Sequence, residues 1–145
     1  MSCGCGYSSS AIDLIQPTRL SLGFRLAAIY NIVWGVVVIL YPGLFFELFR
    51  LPPINYPFLM SGIGMFVAVY GYGYWAVADD LKRYPQLVII GFLGKTLGPI
   101  GWLYTVYTGA IPARTLWVNV FNDLMWLPLF IVYFVWYRKS VRGKP

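Results

Sequence analysis

Histidine is absent from the 145 residues, and only 11% of them are charged. The first absence removes His-ligated haem, His-containing metal sites and every imidazole acid or base. The second removes a soluble surface, since a soluble domain carries about 25% charged residues. Cysteine is scarce as well: Cys3 and Cys5 stand alone in MSCGCG. Two thiols cannot complete a tetrahedral zinc site, so no metal centre is expected. At a cytoplasmic terminus they stay reduced, which excludes a structural disulfide. A glycine-rich tail accounts for them; a cluster shared with a partner, or lipid modification, is the alternative.

What the chain has instead is apolar length. Hydrophobic residues make up 59% and the mean hydropathy is +0.68. One domain fits this length, and the composition is that of an integral membrane protein. Four apolar segments, 20–41, 57–78, 86–108 and 115–137, each approach the roughly 20 residues that cross a hydrocarbon core. Backbone in lipid must satisfy itself, so the spans are expected to be helices. The expected fold is all-α, a polytopic four-transmembrane-helix bundle. A flexible tail occupies 1–18, the membrane domain 19–139 and a basic tail 140–145.

Arg19, Arg25, Lys82, Arg83, Arg138, Lys139, Arg142 and Lys144 fall on one side of these spans, Arg50 and Arg114 on the other. That bias puts both termini in the cytoplasm, at the inner membrane if the source is bacterial. It also accounts for the net charge of +6 through contact with membrane lipids. Nucleic acid is not an expected partner, because no basic stripe with interleaved aromatics exists. The early region is nearly uncharged before Arg19 and offers no cleavage site, so the first span is expected to remain as an anchor. Arg25 lies near the cytoplasmic face and is expected to snorkel towards Asp79 or Asp80. In the connector 41–57, Phe45, Phe46, Leu48 and Phe49 predict a short interfacial helix closed by Pro52 and Pro53.

Inside this apolar frame lie a few polar groups at one depth. Lys95, in GFLGKTLGPIG, is ten residues past Pro85, roughly 15 Å in. Asp123 is nine residues past Arg114, about 14 Å from the opposite face. In a core about 30 Å thick these depths coincide, and Asn31 falls at the same level. An unpaired charge there costs about 2.5–3.5 kcal/mol on insertion scales. A Lys95–Asp123 pair between the third and fourth spans is therefore expected, with Asn31 or Asn122 nearby. Helical spacing adds Trp102 to the lysine face and Asn119 and Trp126 to the aspartate face. Ser61, Gly64, Ala68 and Gly71 form a small-residue face on the second span, and Gly94 and Gly98 a small-xxx-small pair on the third. Pro99 and Pro128 each free a backbone carbonyl, of Lys95 and Leu124, and are expected to bend their helices beside the charges. The plain structural reading is an ion pair that locks two helices in register.

Two tempting motifs fail. GKT at 94–96 lacks the leading glycine of a phosphate-binding loop, where Ile89 stands instead. GYGY at 71–74 lies within a helix rather than a re-entrant filter loop, so packing is its expected role.

Four spans, short loops, an early arginine in the first span, a Phe/Pro-rich external connector and a glycine-rich second span followed by an acidic and basic turn resemble the DoxX-like group. The resemblance covers most of the chain at the level of pattern, and FNDLMW, 121–126, has no match in it. It implies a small membrane protein associated with quinone-linked redox or oxidative-stress complexes, and no catalytic residues transfer with it.

Three functions follow as expectations. The leading one is a binding or accessory subunit holding a lipid-soluble molecule, a quinone or isoprenoid lipid. Lys95 would meet an oxygen of that ligand, Asp123 would balance the charge, and Trp102 and Trp126 would form walls. A membrane-protein partner or a homo-oligomer fits that role. The second is an enzyme acting on a lipid or sterol-like substrate with Lys95 and Asp123 as acid and base. The third is an oligomeric proton or small-solute transporter. The ligand, and any cofactor, is not identified by the sequence.

Overall fold

The computed structural model describes residues 17–142; the CxC pair lies outside them. Within them the chain is all-helical, with no strand. Helix α1 runs Pro17–Leu40, α2 Leu44–Leu48, α3 Pro57–Asp79, α4 Pro85–Tyr107, α5 Leu116–Asn122 and α6 Leu127–Arg142. Among the described residues three segments are long and apolar enough to cross a membrane: Pro17–Leu40, Pro85–Tyr107 and Ala113–Val141. This is the pattern of a multi-pass membrane protein. Helix α3, with 23 residues, is as long as α4 but is not one of these three.

Proline starts both α3 and α4, where a missing N–H costs nothing and φ is already helical. Between them Asp80 Oδ1 accepts the N–H groups of Lys82 and Arg83 at 3.0 and 3.2 Å, which turns the chain. The sequence around 41–57 folds as expected into the short helix α2. Its Phe45 meets Trp102 of α4 edge-on at 5.4 Å. Arg114 holds this connector from the other side, donating to the Phe49 carbonyl at 3.0 Å.

The most intimate packing joins α1 and α3, and small residues explain it. A Cβ on Gly35 would lie 2.6 Å from the Gly64 carbonyl, and one on Gly71 would lie 2.8 Å from the Ala28 carbonyl. The two backbones therefore touch along the small-residue face read from the sequence. Ser21 Oγ donates to Ala78 O at 2.6 Å near one end, and Ser61 Oγ to Ile39 O at 3.2 Å near the other. Arg25 Nη2 reaches Asp79 Oδ1 at 3.2 Å, as expected. Both side chains are half-exposed, so this contact adds little stability.

One end of the bundle is sealed by Phe24, Tyr74, Phe130 and Tyr133, with Phe24 edge-on to Phe130 at 5.8 Å and to Tyr133 at 5.5 Å. Tyr133 satisfies its buried hydroxyl by donating to Leu81 O at 2.8 Å. Outward, Leu22, Leu26, Ile29, Val33, Phe66, Val69, Leu93 and Leu97 are exposed, an apolar surface suited to acyl chains rather than water.

The last segment departs from the expected single helix at 115–137. It is broken at Asp123 (φ −121°, ψ −58°), followed by a tight 3₁₀ turn over Leu124–Trp126 before α6 begins. Trp126 N–H turns to the Asp123 carbonyl at 3.1 Å, three residues back, instead of four back to Asn122. Pro128 contributes, since it cannot donate to Leu124, whose carbonyl instead takes the Leu127 N–H. Helix α4, by contrast, continues through Pro99.

Candidate functional site

The break in the last span creates the site. Stopping α5 at Asn122 leaves its final carbonyls open, and in an apolar interior such groups demand donors. Two side chains supply them. Tyr30 of α1 donates its hydroxyl to Phe121 O at 3.0 Å, and Lys95 of α4 donates to Asn122 O at 2.6 Å. The lysine thus faces the negative end of a half-helix, where a cation is favoured.

Lys95 completes its set with two more oxygens. Asp123 Oδ1 lies 3.2 Å from Nζ, and Asn31 Oδ1 accepts from it at 3.3 Å. An ammonium has three N–H groups, and three protein oxygens now face it. Asn31 is held for this task by its own amide, which donates to Ala27 O at 2.7 Å. Asn122 Nδ2 donates to Asp123 Oδ1 at 2.9 Å, so that carboxylate oxygen is shared by two donors. Lys95, Asp123 and Asn31 are all buried, at 6%, 9% and 1% exposure, so the pair is shielded from solvent screening.

Beside this cluster lies a cavity of about 120 Å³. Asn31 of α1, Val67, Tyr70 and Tyr74 of α3, Gly91, Gly94 and Lys95 of α4, Asn122 and Asp123 line it. Tyr70 and Tyr74 also line an adjoining groove of about 270 Å³, formed by α3 and α4 alone and walled by Phe66, Val69, Leu87 and Ile90. The groove opens along the seam between α3 and α4, which pack far less closely than α1 and α3. A missing side chain makes room in the cavity wall: a Cβ on Gly94 would lie 3.7 Å from the Tyr70 hydroxyl.

No protein-family model, no curated protein and no solved structure matches the chain. The site therefore has to be read from its own geometry.

Of the residues singled out in the sequence, Lys95, Asp123, Asn31 and Asn122 stand together on the cavity wall. Asn119 is buried one turn before the break, where its carbonyl takes the Asp123 N–H at 2.9 Å and its Nδ2 has no partner among the described residues. Trp126 lies away from the cavity, packed on Tyr30 at 5.4 Å beside a separate apolar groove. Trp102 points to the far end of α4, donating to Thr115 Oγ1 at 2.9 Å. Neither tryptophan forms a wall of the cavity. The walls that sequence reasoning missed are Tyr70 and Tyr74. Their signal was present: Tyr70 is thirteen residues past Pro57, about 20 Å along the helix, too deep for an interfacial belt.

Proposed function

We propose that the chain is a four-span membrane protein that holds a lipid-soluble molecule, a quinone or isoprenoid lipid, as a binding or accessory subunit. The observation that carries this reading is a half-open cavity with an ion pair in its wall, which adjoins an apolar groove between two loosely packed helices at Tyr70 and Tyr74. Such a site matches an amphiphile: a compact polar head beside Lys95 and Asp123, and a chain lying towards the bilayer. A relationship to the DoxX-like group, and through it a place beside a quinone-linked redox complex, belongs to the same proposal.

The fourth span is α3. Ser21–Ala78 and Ser61–Ile39 tie its two ends to the two ends of α1, so α3 covers the thickness that α1 covers. With four crossings both termini lie on one side, and the excess of lysine and arginine there makes it the cytoplasmic side.

A second reading is favoured by the break at Asp123. A helix interrupted near the membrane midplane, with a freed carbonyl on a cation, is a device of transporters. Proton flux in proteoliposomes, without a retained ligand, would promote it.

Organic extraction of the protein purified from its native membranes tests the binding reading. One lipid-soluble species is expected at close to one molecule per chain, enriched over the surrounding lipid. Recovery of only bulk phospholipids, in the proportions of the membrane, would refute it.

A further inference from the structure

We infer that the bound molecule is a neutral amphiphile whose head offers a carbonyl or ester oxygen to the Tyr74 hydroxyl, with its chain in the groove between α3 and α4. This deepens the binding reading above and rests on it.

Tyr74 is 2% exposed and lines the cavity, where its hydroxyl makes no hydrogen bond to the described residues and is not sealed from the open space. Tyr133, equally buried, shows how this fold treats such a group when no cavity adjoins it: its hydroxyl donates to Leu81 O at 2.8 Å. A donor that faces open space without a protein acceptor is available to an acceptor that enters. Its place is set by Gly91, against which the ring lies so closely that a Cβ there would be 2.7 Å from the hydroxyl oxygen. Gly91 precedes Lys95 by one helical turn, so the free donor stands one turn from the ion pair. Tyr70, one turn before Tyr74, adds a second hydroxyl at the boundary of cavity and groove.

The charge on the head follows from the lysine. Lys95 and Asp123 cancel one another, and three protein oxygens already face the ammonium. No other charged side chain lines the cavity. An anionic head would enter a site whose cation is already matched, and a cationic head would compete with Lys95 for its carboxylate. A neutral acceptor meets neither penalty and satisfies Tyr74. The groove has apolar walls from Phe66, Val69, Leu87 and Ile90, which suit a hydrocarbon chain and no second polar group.

The test uses the full chain in nanodiscs of a zwitterionic phospholipid, with two probes of equal chain length: a long-chain methyl ketone and a long-chain alkyl monophosphate. The ketone is expected to bind the wild type at one site, and the monophosphate to bind no better than background. Tyr74→Phe removes one neutral hydrogen bond and should weaken the ketone about three- to tenfold, with the unfolding midpoint unchanged or raised. Gly73→Leu places a side chain in the groove and should weaken the long-chain ketone while sparing a short-chain one. Equal ketone affinity in wild type and Tyr74→Phe would overturn the role of Tyr74, and equal loss for short and long chains would overturn the role of the groove. Preference for the monophosphate would overturn the neutral head. Binding of neither probe to the wild type, with only water filling the cavity, would overturn this inference; a stoichiometric species in the organic extract would then still uphold the underlying reading, and its absence would end both.

Discussion

Asp123→Ala is expected to destabilise the bundle by about 3–5 kcal/mol, read by reversible unfolding in mixed micelles. The loss comes less from a missing attraction than from what stays behind. Lys95 would remain a buried ammonium whose two other oxygens, from Asn31 and Asn122, are neutral and cannot cancel its charge. Removing both charges should undo most of the damage, because desolvating an ion pair offsets much of its mutual attraction. Lys95→Met combined with Asp123→Leu is therefore expected to be far more stable than Asp123→Ala. The break in the last span ties this result to the fold. Without the lysine the Asn122 carbonyl loses its donor, so the double variant should fall slightly short of the wild type. A loss below about 1 kcal/mol for Asp123→Ala would place the pair among weak, screened contacts and remove it from the centre of this account.

The second large effect concerns α1 and α3. Gly35→Ala adds one methyl group where the Gly64 carbonyl would be 2.6 Å away and the Ala68 nitrogen 2.7 Å away. Both obstacles are backbone, so the helices themselves must separate, at an expected cost of about 1–3 kcal/mol. Gly62→Ala is the matched control. It lies on the same pair of helices but meets nothing within 4 Å, so alanine there should gain up to about 1 kcal/mol of helix propensity. Opposite signs in the same unfolding assay are the expected result. Equal effects would mean that α1 and α3 do not touch backbone to backbone.

Much of this arrangement is readable from the chain by depth and spacing. Lys95 and Asp123 were matched because each is a known number of residues from a span end, and a helix converts that count into a distance. Gly64 and Gly71 are legible because small residues repeat on one helical face and lipid gives no other reason for them. The rotational position of side chains around each helix was harder to read. Trp102 shares a stripe with Lys95 by spacing, yet it is seven residues further on, and α2 and Thr115 capture it at the other end. The break at Asp123 was hidden for a different reason. Pro128 predicts a disturbance four residues upstream, at Leu124, but the 3₁₀ turn draws the disturbance back to Asn122 and Asp123, where two donors from other helices stabilise it. Tyr74 falls in GYGY, where packing is the expected role, and Tyr70 is not singled out at all, because nothing in one helix reveals that its neighbour presents Gly91 and Gly94 opposite.

These differences change the role of the lysine. From the cavity wall it holds the end of a half-helix and one carboxylate, and so fixes that wall. On the proposed binding reading, recognition falls to the hydroxyls of α3.

If this cavity holds a lipid-soluble molecule, native mass spectrometry of the wild type and Gly94→Leu from the same membranes will separate the two proteins. Gly94 lines the cavity and a Cβ there meets nothing nearer than the Tyr70 hydroxyl at 3.7 Å, so a larger side chain starts into the cavity without a clash at its first carbon. A one-to-one adduct is expected on the wild type and none on Gly94→Leu, with an unfolding midpoint at least as high in the variant. The same adduct at the same occupancy on both proteins, or no adduct on the wild type, would contradict it.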